Sequence, residues 1–140
     1  MHTRHILVLE DSDEDFETVH DAARRGGVTH AIVRATAGSE CLQLLRSAAR
    51  RRDRLPALVL LDLNTPGDDG REALCEIRGD RSLESLPLVV LSASANPRDL
   101  QFCYRHGANA YHVKPVNHAA HLQVLQQILA YWLGSVVLPS

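Results

Sequence analysis

Five short apolar runs alternate along the chain with segments of helical period, and this alternation limits the possible folds more than any other feature. The apolar runs are Ile6–Leu9, Ala31–Val33, Ala57–Leu61, Leu86–Leu91 and Ala110–Val113. The helical patterns are Asp13–Arg25, Ser39–Arg52, Gly70–Arg78, Pro97–His106 and Asn117–Leu133. The first and fourth runs are continuously apolar, as expected of strands buried on both faces. A strand–helix order repeated five times predicts an α/β fold with helices on both faces of a parallel sheet.

Composition narrows the class of protein further. A length of 140 residues favours one domain, and a net charge of −2 gives no basic field for nucleic acid. The three cysteines are scattered and lack metal-ligand spacing, which is typical of reduced thiols in a cytoplasmic protein. No apolar stretch reaches the roughly 18 residues of a membrane span. We therefore expect a cytoplasmic protein that binds neither nucleic acid nor a membrane.

Polar residues follow the predicted strands, and they should meet at one edge of the sheet. In open parallel sheets, binding sites lie beyond the carboxyl ends of the strands. The residues delivered there are Glu10, Asp11, Asp62, Ser92, Tyr111 and Lys114. Two carboxylates about 4 Å apart repel by roughly 4 kcal/mol at an effective dielectric of 20, so the group needs a cation or a proton. Carboxylate oxygens without neighbouring cysteine or histidine ligands favour Mg²⁺.

These residues resemble the receiver domain of bacterial response regulators. The segment DLNTPGDDG, from Asp62 to Gly70, is similar to that family's loop around its phosphoacceptor. The intervals from Asp62 to Ser92 and to Lys114 are also similar to the family's. The resemblance implies a flavodoxin-like, doubly wound (βα)5 fold with strand order 2-1-3-4-5. We expect a receiver domain over residues 1–133 and a C-terminal extension over 134–140.

The resemblance also implies a role for each candidate residue. Asp62 would accept a phosphoryl group from a sensor histidine kinase, in a signalling protein that is not an enzyme. Mg²⁺ or Mn²⁺ would be held by Asp11 and Asp62, by the backbone carbonyl of Asn64, and by Glu10 mainly through water. Lys114 would contact the phosphoryl oxygens, while Ser92 and Tyr111 would reorient.

Three alternatives to these assignments stay open. Tyr111 is as compatible with core packing as with a switch. The alternative hypothesis for the whole chain is a receiver-like binding module that is never phosphorylated. An aspartyl-phosphate hydrolase is disfavoured because Asn64 stands where such an enzyme needs an acid–base carboxyl group.

The C-terminal segment AYWLGSVVLP is similar, together with DLNTPGDDGRE, to regulators that pair with phytochrome-type light-sensing kinases. That likeness implies a bacteriophytochrome as the partner kinase and a homodimer. The last helical pattern carries two apolar stripes, whereas a helix on one face of a sheet needs only one. We predict a dimer interface that includes Leu125, Ile128, Trp132 and Val136. The alternative is that the tail folds back and covers the surplus apolar surface.

Overall fold

A five-stranded parallel sheet with the order β2-β1-β3-β4-β5 forms the centre of the molecule. The computed structural model describes residues 4–52, 54–63 and 69–139. The strands are β1 (Ile6–Leu9), β2 (Ile32–Ala35), β3 (Leu58–Asp62), β4 (Leu88–Ser92) and β5 (Ala110–Val113). The helices are α1 (Asp13–Arg25), α2 (Gly38–Arg50), α3 (Asp69–Gly79), α4 (Pro97–Arg105) and α5 (His118–Ala130). The predicted fold class and strand order are therefore confirmed.

The central strands bury both of their faces, and this explains their continuous apolar sequence. In β1, Leu7 and Leu9 join the core under α2, α3 and α4, whereas Ile6 and Val8 join the core under α1 and α5. Alternate residues of β3 and β4 divide between the two cores in the same way. Because strand side chains alternate, a slip of one residue would exchange the two faces. This packing fixes which residues reach the carboxyl edge.

Two strands extend one residue further than the sequence predicts. β3 ends at Asp62 and β4 ends at Ser92, so both polar residues belong to the hydrogen-bonded ladder. The ladder continues beyond the last assigned residues, because Leu63 N donates to Leu91 O and Lys114 N donates to Ser92 O. Asp62, Ser92 and Lys114 are thus positioned by rigid backbone.

The helix ends follow local side-chain chemistry. Ser12, Asn96 and Asn117 each accept a backbone N–H of the first turn of α1, α4 and α5, respectively. Pro97 occupies the start of α4, where its missing N–H costs nothing. Among the described residues, no helix is long and apolar enough to cross a membrane.

The last helix is shorter than predicted. α5 ends at Ala130, and a wider π-helical turn follows over Tyr131–Ser135. Trp132 packs partly against the core under α1 and α5. Near the C-terminus, Arg4 Nη2 donates to Pro139 O at 2.8 Å, so the tail returns towards the start of the chain.

Two residues assigned to the dimer interface lie inside the protein itself. Leu125 and Ile128 are buried in the core that α5 shares with α1 and the sheet. Their side chains are not available to a second copy in this structure. Of the four residues predicted for the interface, Trp132 and Val136 are half-buried and remain accessible to a second copy.

Arg78 ties the end of α3 to two other segments, the turn before β4 and the turn before β5. Its guanidinium donates to the carbonyl oxygens of Gly107 and Leu86, each at 2.8 Å, and to Asn109 Oδ1 at 2.9 Å. It also contacts carbonyls of the short turn before β4. Gly107 has φ +97, and a Cβ there would lie 2.7 Å from Arg78 Cγ. The arginine thus supplies a charged donor to carbonyls of two turns.

We expect Arg78→Ala to lower the free energy of unfolding by about 2–4 kcal/mol, because partly buried carbonyls lose a charged donor. Urea denaturation would measure the change. The exposed neighbour Arg81 is the matched control, and Arg81→Ala should change the free energy of unfolding by less than about 0.5 kcal/mol. Equal effects of the two substitutions would contradict this role of Arg78.

Candidate functional site

A buried ammonium group among three carboxylates forms the centre of the carboxyl edge. Lys114 Nζ lies 2.5 Å from Asp62 Oδ2, 2.8 Å from Asp15 Oδ2 and 3.3 Å from Glu10 Oε1. The side chains of Asp62, Glu10 and Lys114 are only 2%, 5% and 10% exposed, respectively. Burial strengthens these charge interactions because little water screens them. The structure thus brings Glu10, Asp62 and Lys114 together at the ends of their strands.

Glu10 carries the strongest electrostatic perturbation of the site. Burial raises the pKa of Glu10 to about 8, assisted by a hydrogen bond to Asp62 and by the negative charge of Asp62. The ammonium of Lys114 and the N–H of Ser12 act in the opposite direction. A protonated Glu10 therefore donates to Asp62 near neutral pH, so the two carboxyl groups share a proton instead of repelling one another.

Lys114 is correspondingly held in its charged form. Burial alone would lower the pKa of Lys114, but the hydrogen bonds to Asp15 and Asp62 and the charges of Asp62 and Glu10 raise it overall. The lysine thus stays cationic near neutral pH. It is a permanent positive charge directed at Asp62 Oδ2.

Asp15 is the member of the site that the sequence reasoning missed. The acidic ligand atoms of Glu10, Asp15 and Asp62 all lie within 4.8 Å of one another. Asp11, which we predicted as a ligand, is exposed and lies outside this group. Asp15 stands in the first turn of α1, in an acidic run that is typical of a helix start. The available signal was its position on the helix that follows directly from β1.

Ser92 and Tyr111, the two predicted switch residues, meet at the backbone of Ser94. Ser94 N donates to Ser92 Oγ at 3.1 Å, and Tyr111 Oη donates to Ser94 O at 2.8 Å. Ser94 Oγ in turn donates to Asp99 on α4 at 2.5 Å, and Asp99 pairs with Arg71 on α3. Ser92 is buried and Tyr111 is half-buried. The loop after β4 therefore links both residues to α3 and α4.

A close backbone approach beside Asp62 requires glycine. A Cβ on Gly70 would lie 2.9 Å from Asp62 O and 3.0 Å from Leu63 Cα, so a larger residue would displace the end of β3. The start of α3 is therefore packed directly against the strand that carries Asp62. The predicted ligand Asn64 lies outside the described residues.

The residues present suit a hard divalent cation. Glu10 and Asp62 are hydrogen-bonded to one another in the metal-free protein, and their carboxylates would hold a divalent cation once the proton is lost. An all-oxygen donor set matches Mg²⁺ or Mn²⁺ better than metals that prefer sulfur or imidazole.

Comparison with known proteins gives a consistent result. The family model described as response regulator receiver domain matches residues 6–126. The chain is 33% identical over 136 residues to the response regulator Rcp1 of Synechocystis sp., covering 96% of this chain and 92% of that protein. The structure of the phosphorylated cyanobacterial phytochrome response regulator RcpA is similar with a TM-score of 0.90 and 35% identity, covering 99% of this chain and 100% of RcpA. The Mn²⁺-bound form of Rcp1 is similar with a TM-score of 0.89 and 33% identity, covering 98% of this chain and 99% of Rcp1.

The pKa of Glu10 generates a pH-dependence of stability in metal-free solution. The pKa of this group is raised in the folded protein from an ordinary value of 4.5 to about 8. Its stabilising contribution is therefore complete below pH 4.5 and is lost as the pH rises through 8, with a slope of at most about 1.4 kcal/mol per pH unit. Glu10→Gln keeps a donor towards Asp62 but cannot ionise, so it should remove this part of the slope.

Urea midpoints measured in EDTA from pH 5 to 9 would check this expectation. The histidines titrate in both proteins, so the difference between wild type and Glu10→Gln isolates Glu10. Above pH 8 the variant should be the more stable protein. Parallel pH profiles of the two proteins would show that Glu10 is not protonated in the fold.

Proposed function

This chain belongs to the response regulator receiver family, and from that premise we propose that it is a phosphorylation switch whose phosphoacceptor is Asp62. The observation that carries the proposal is the contact of a buried Asp62 with Lys114 and Glu10 at the carboxyl edge of the sheet. Buried carboxylates with a strongly perturbed partner and a fixed cation cluster at functional sites.

The reaction we propose is a transfer to one carboxylate oxygen of Asp62. That oxygen attacks the phosphorus of a phosphohistidine on a sensor kinase, the phosphorus–nitrogen bond breaks, and its electron pair remains on the imidazole nitrogen. The product is an acyl phosphate on Asp62. Phosphoryl transfer depends on alignment and charge neutralisation, and the Lys114 ammonium supplies a fixed positive charge at the receiving oxygen. The phosphoryl group is stored rather than turned over on an external substrate, so the protein would not be an enzyme in the ordinary sense.

A divalent cation, Mg²⁺ or Mn²⁺, is part of this proposal. Glu10 and Asp62 would hold it, with Asp11 and the backbone carbonyl of Asn64 as the further proposed ligands. When bound, such an ion neutralises the phosphoryl oxygens and orients them for in-line transfer. The Mn²⁺-bound form of the relative Rcp1 supports the choice of ion.

Ser92 and Tyr111 supply the conformational response in this proposal. An Oγ of Ser92 that turns to the phosphoryl group must give up the Ser94 N–H, and Tyr111 is bonded to the same residue. Ser94 is also bonded to Asp99, so the change would reach α4 and its ion pair with Arg71. The output would then be a changed surface around α4 and β5.

The partner we propose is a sensor histidine kinase of the phytochrome type. The support is the similarity over nearly the whole chain to Rcp1, a response regulator, and to RcpA, which is described as a phytochrome response regulator. Three free cysteines fit a reducing cytoplasm. We also propose a homodimer that uses Trp132 and Val136, together with exposed Tyr131 and Val137 of the same tail.

The phosphoacceptor can be tested with acetyl phosphate and Mg²⁺. Wild type should gain the mass of one phosphoryl group, and alkaline hydroxylamine should remove it because acyl phosphates are labile to that nucleophile. Asp62→Asn should gain nothing, and removal of Mg²⁺ with EDTA should abolish the adduct. The surface variant Asp80→Asn should behave as wild type. No adduct on wild type, or an adduct that survives in Asp62→Asn, would refute the proposal.

The dimer can be tested by sedimentation at micromolar concentration. Val137 is 97% exposed, so Val137→Glu should leave the monomer intact while placing a charge in the tail interface and lowering the measured mass. Leu44→Glu, on an exposed position of α2, is the control and should leave the mass unchanged. If Val137→Glu sediments with the same mass as wild type, the tail does not contribute to a dimer.

A further inference from the structure

We propose that Asp15 is a positioning residue that holds the Lys114 ammonium in place while a phosphoryl group is attached to Asp62. Asp15 Oδ2 accepts a hydrogen bond from Lys114 Nζ at 2.8 Å, and its side chain is 33% exposed against 2% for Asp62. The inference rests on the proposed function, since it assigns a role within the same phosphoryl transfer.

The local structure of α1 leaves Asp15 available for this role. Ser12 caps the helix, and Asp15 stands three residues later, where the acidic member of a capping box ordinarily accepts the N–H of the cap residue. Here Glu10 Oε2 accepts the Ser12 N–H at 3.2 Å instead. The Asp15 carboxylate therefore points to Lys114, while its own N–H is bonded to Ser12 Oγ.

The chemistry of the transfer explains why the contact between Asp15 and Lys114 would matter. The Lys114 ammonium has three N–H bonds, and they are directed at Asp62, Asp15 and Glu10. Phosphorylation converts the Asp62 carboxylate into a mixed anhydride, and the Glu10 carboxylate would be used to hold the divalent cation. Asp15 is then the one carboxylate of the three that still faces the ammonium. It holds Lys114 where one N–H can pass from the Asp62 oxygen to a phosphoryl oxygen.

Asp15 has two other conceivable effects, and both predict different behaviour. As a metal ligand it would act through the cation and would not require Lys114. As a plain negative charge it would repel an incoming phosphoryl dianion, so its removal would accelerate phosphorylation. A positioning role requires Lys114, and it predicts that loss of the carboxylate slows the reaction.

The experiment measures the phosphorylation of Asp62 by acetyl phosphate at saturating Mg²⁺. In this step an Asp62 oxygen–phosphorus bond forms, the acetyl oxygen–phosphorus bond breaks, and the electron pair leaves with acetate. Asp15→Ala should lower the rate about tenfold, since a charge-assisted hydrogen bond at a partly exposed site is lost. Asp15→Asn keeps an acceptor oxygen, so it should recover part of the rate. Glu14→Ala, an exposed acidic residue of the same helix turn, should stay within about twofold of wild type and controls for the helix start.

A double-mutant cycle with Lys114→Met supplies the readout that a structural role would not move. In the Lys114→Met background, Asp15→Ala should lower the rate by less than about twofold, because its partner is absent. Beryllofluoride binding followed by fluorine NMR gives a second measure. The Asp15 variants should bind it more weakly and shift the fluorine resonance nearest the ammonium.

Three results would overturn the positioning role. They are a rate for Asp15→Ala equal to or above wild type, a full tenfold loss that persists in the Lys114→Met background, and an equal loss in Glu14→Ala. Failure of wild type to form any adduct is a separate outcome, because it refutes the phosphorylation switch itself and the positioning role with it.

Discussion

The Lys114 ammonium is the interaction on which the carboxyl edge of this protein depends. Without it, Glu10, Asp15 and Asp62 would place three carboxylates within 4.8 Å of one another, at a cost of several kcal/mol in a weakly screened site. Lys114 and the shared proton on Glu10 remove most of that cost in the metal-free protein. The negative charge that remains in the cluster favours the binding of an added cation. An edge made of apolar residues would not do so.

The alternation of strand side chains between the two cores determines which charged groups meet at the carboxyl edge. Leu58 and Leu60 face the core under α1 and α5, and Asp62 has the same parity at the end of the same strand. The lysine arrives by a different route, because its backbone N–H extends the ladder between β4 and β5 to Ser92. Burial of the core therefore fixes the relative positions of charged atoms that contribute nothing to that burial.

Sequence reasoning recovered the features that follow from period and strand order. The five strands and the convergence of Glu10, Asp62 and Lys114 were predictable because each strand end is marked by a change from apolar to polar residues. The strand order was implied by the resemblance to receiver domains. The role of Asp15 was not predictable, because an acidic residue three positions after a serine is typical of a capping box at a helix start. Only the structure shows that Glu10, and not Asp15, accepts the Ser12 N–H. Leu125 and Ile128 were misassigned because the sequence of α5 does not reveal which of its many apolar residues face the sheet.

The formal charges of the site suggest why one cluster can accommodate both its resting and its proposed loaded state. With Glu10 protonated, the ammonium cancels one of the two remaining carboxylates, and one negative charge is left. In the proposed loaded state, a divalent cation displaces the Glu10 proton and a dianionic phosphoryl group replaces the Asp62 carboxylate, which again leaves one negative charge. The buried fold thus need not absorb a change in net charge, which would be the largest electrostatic cost of phosphorylation in a site of low dielectric. The energy of the proposed modification would then be available for the proposed movement of Ser92 and Tyr111 instead of being lost to desolvation.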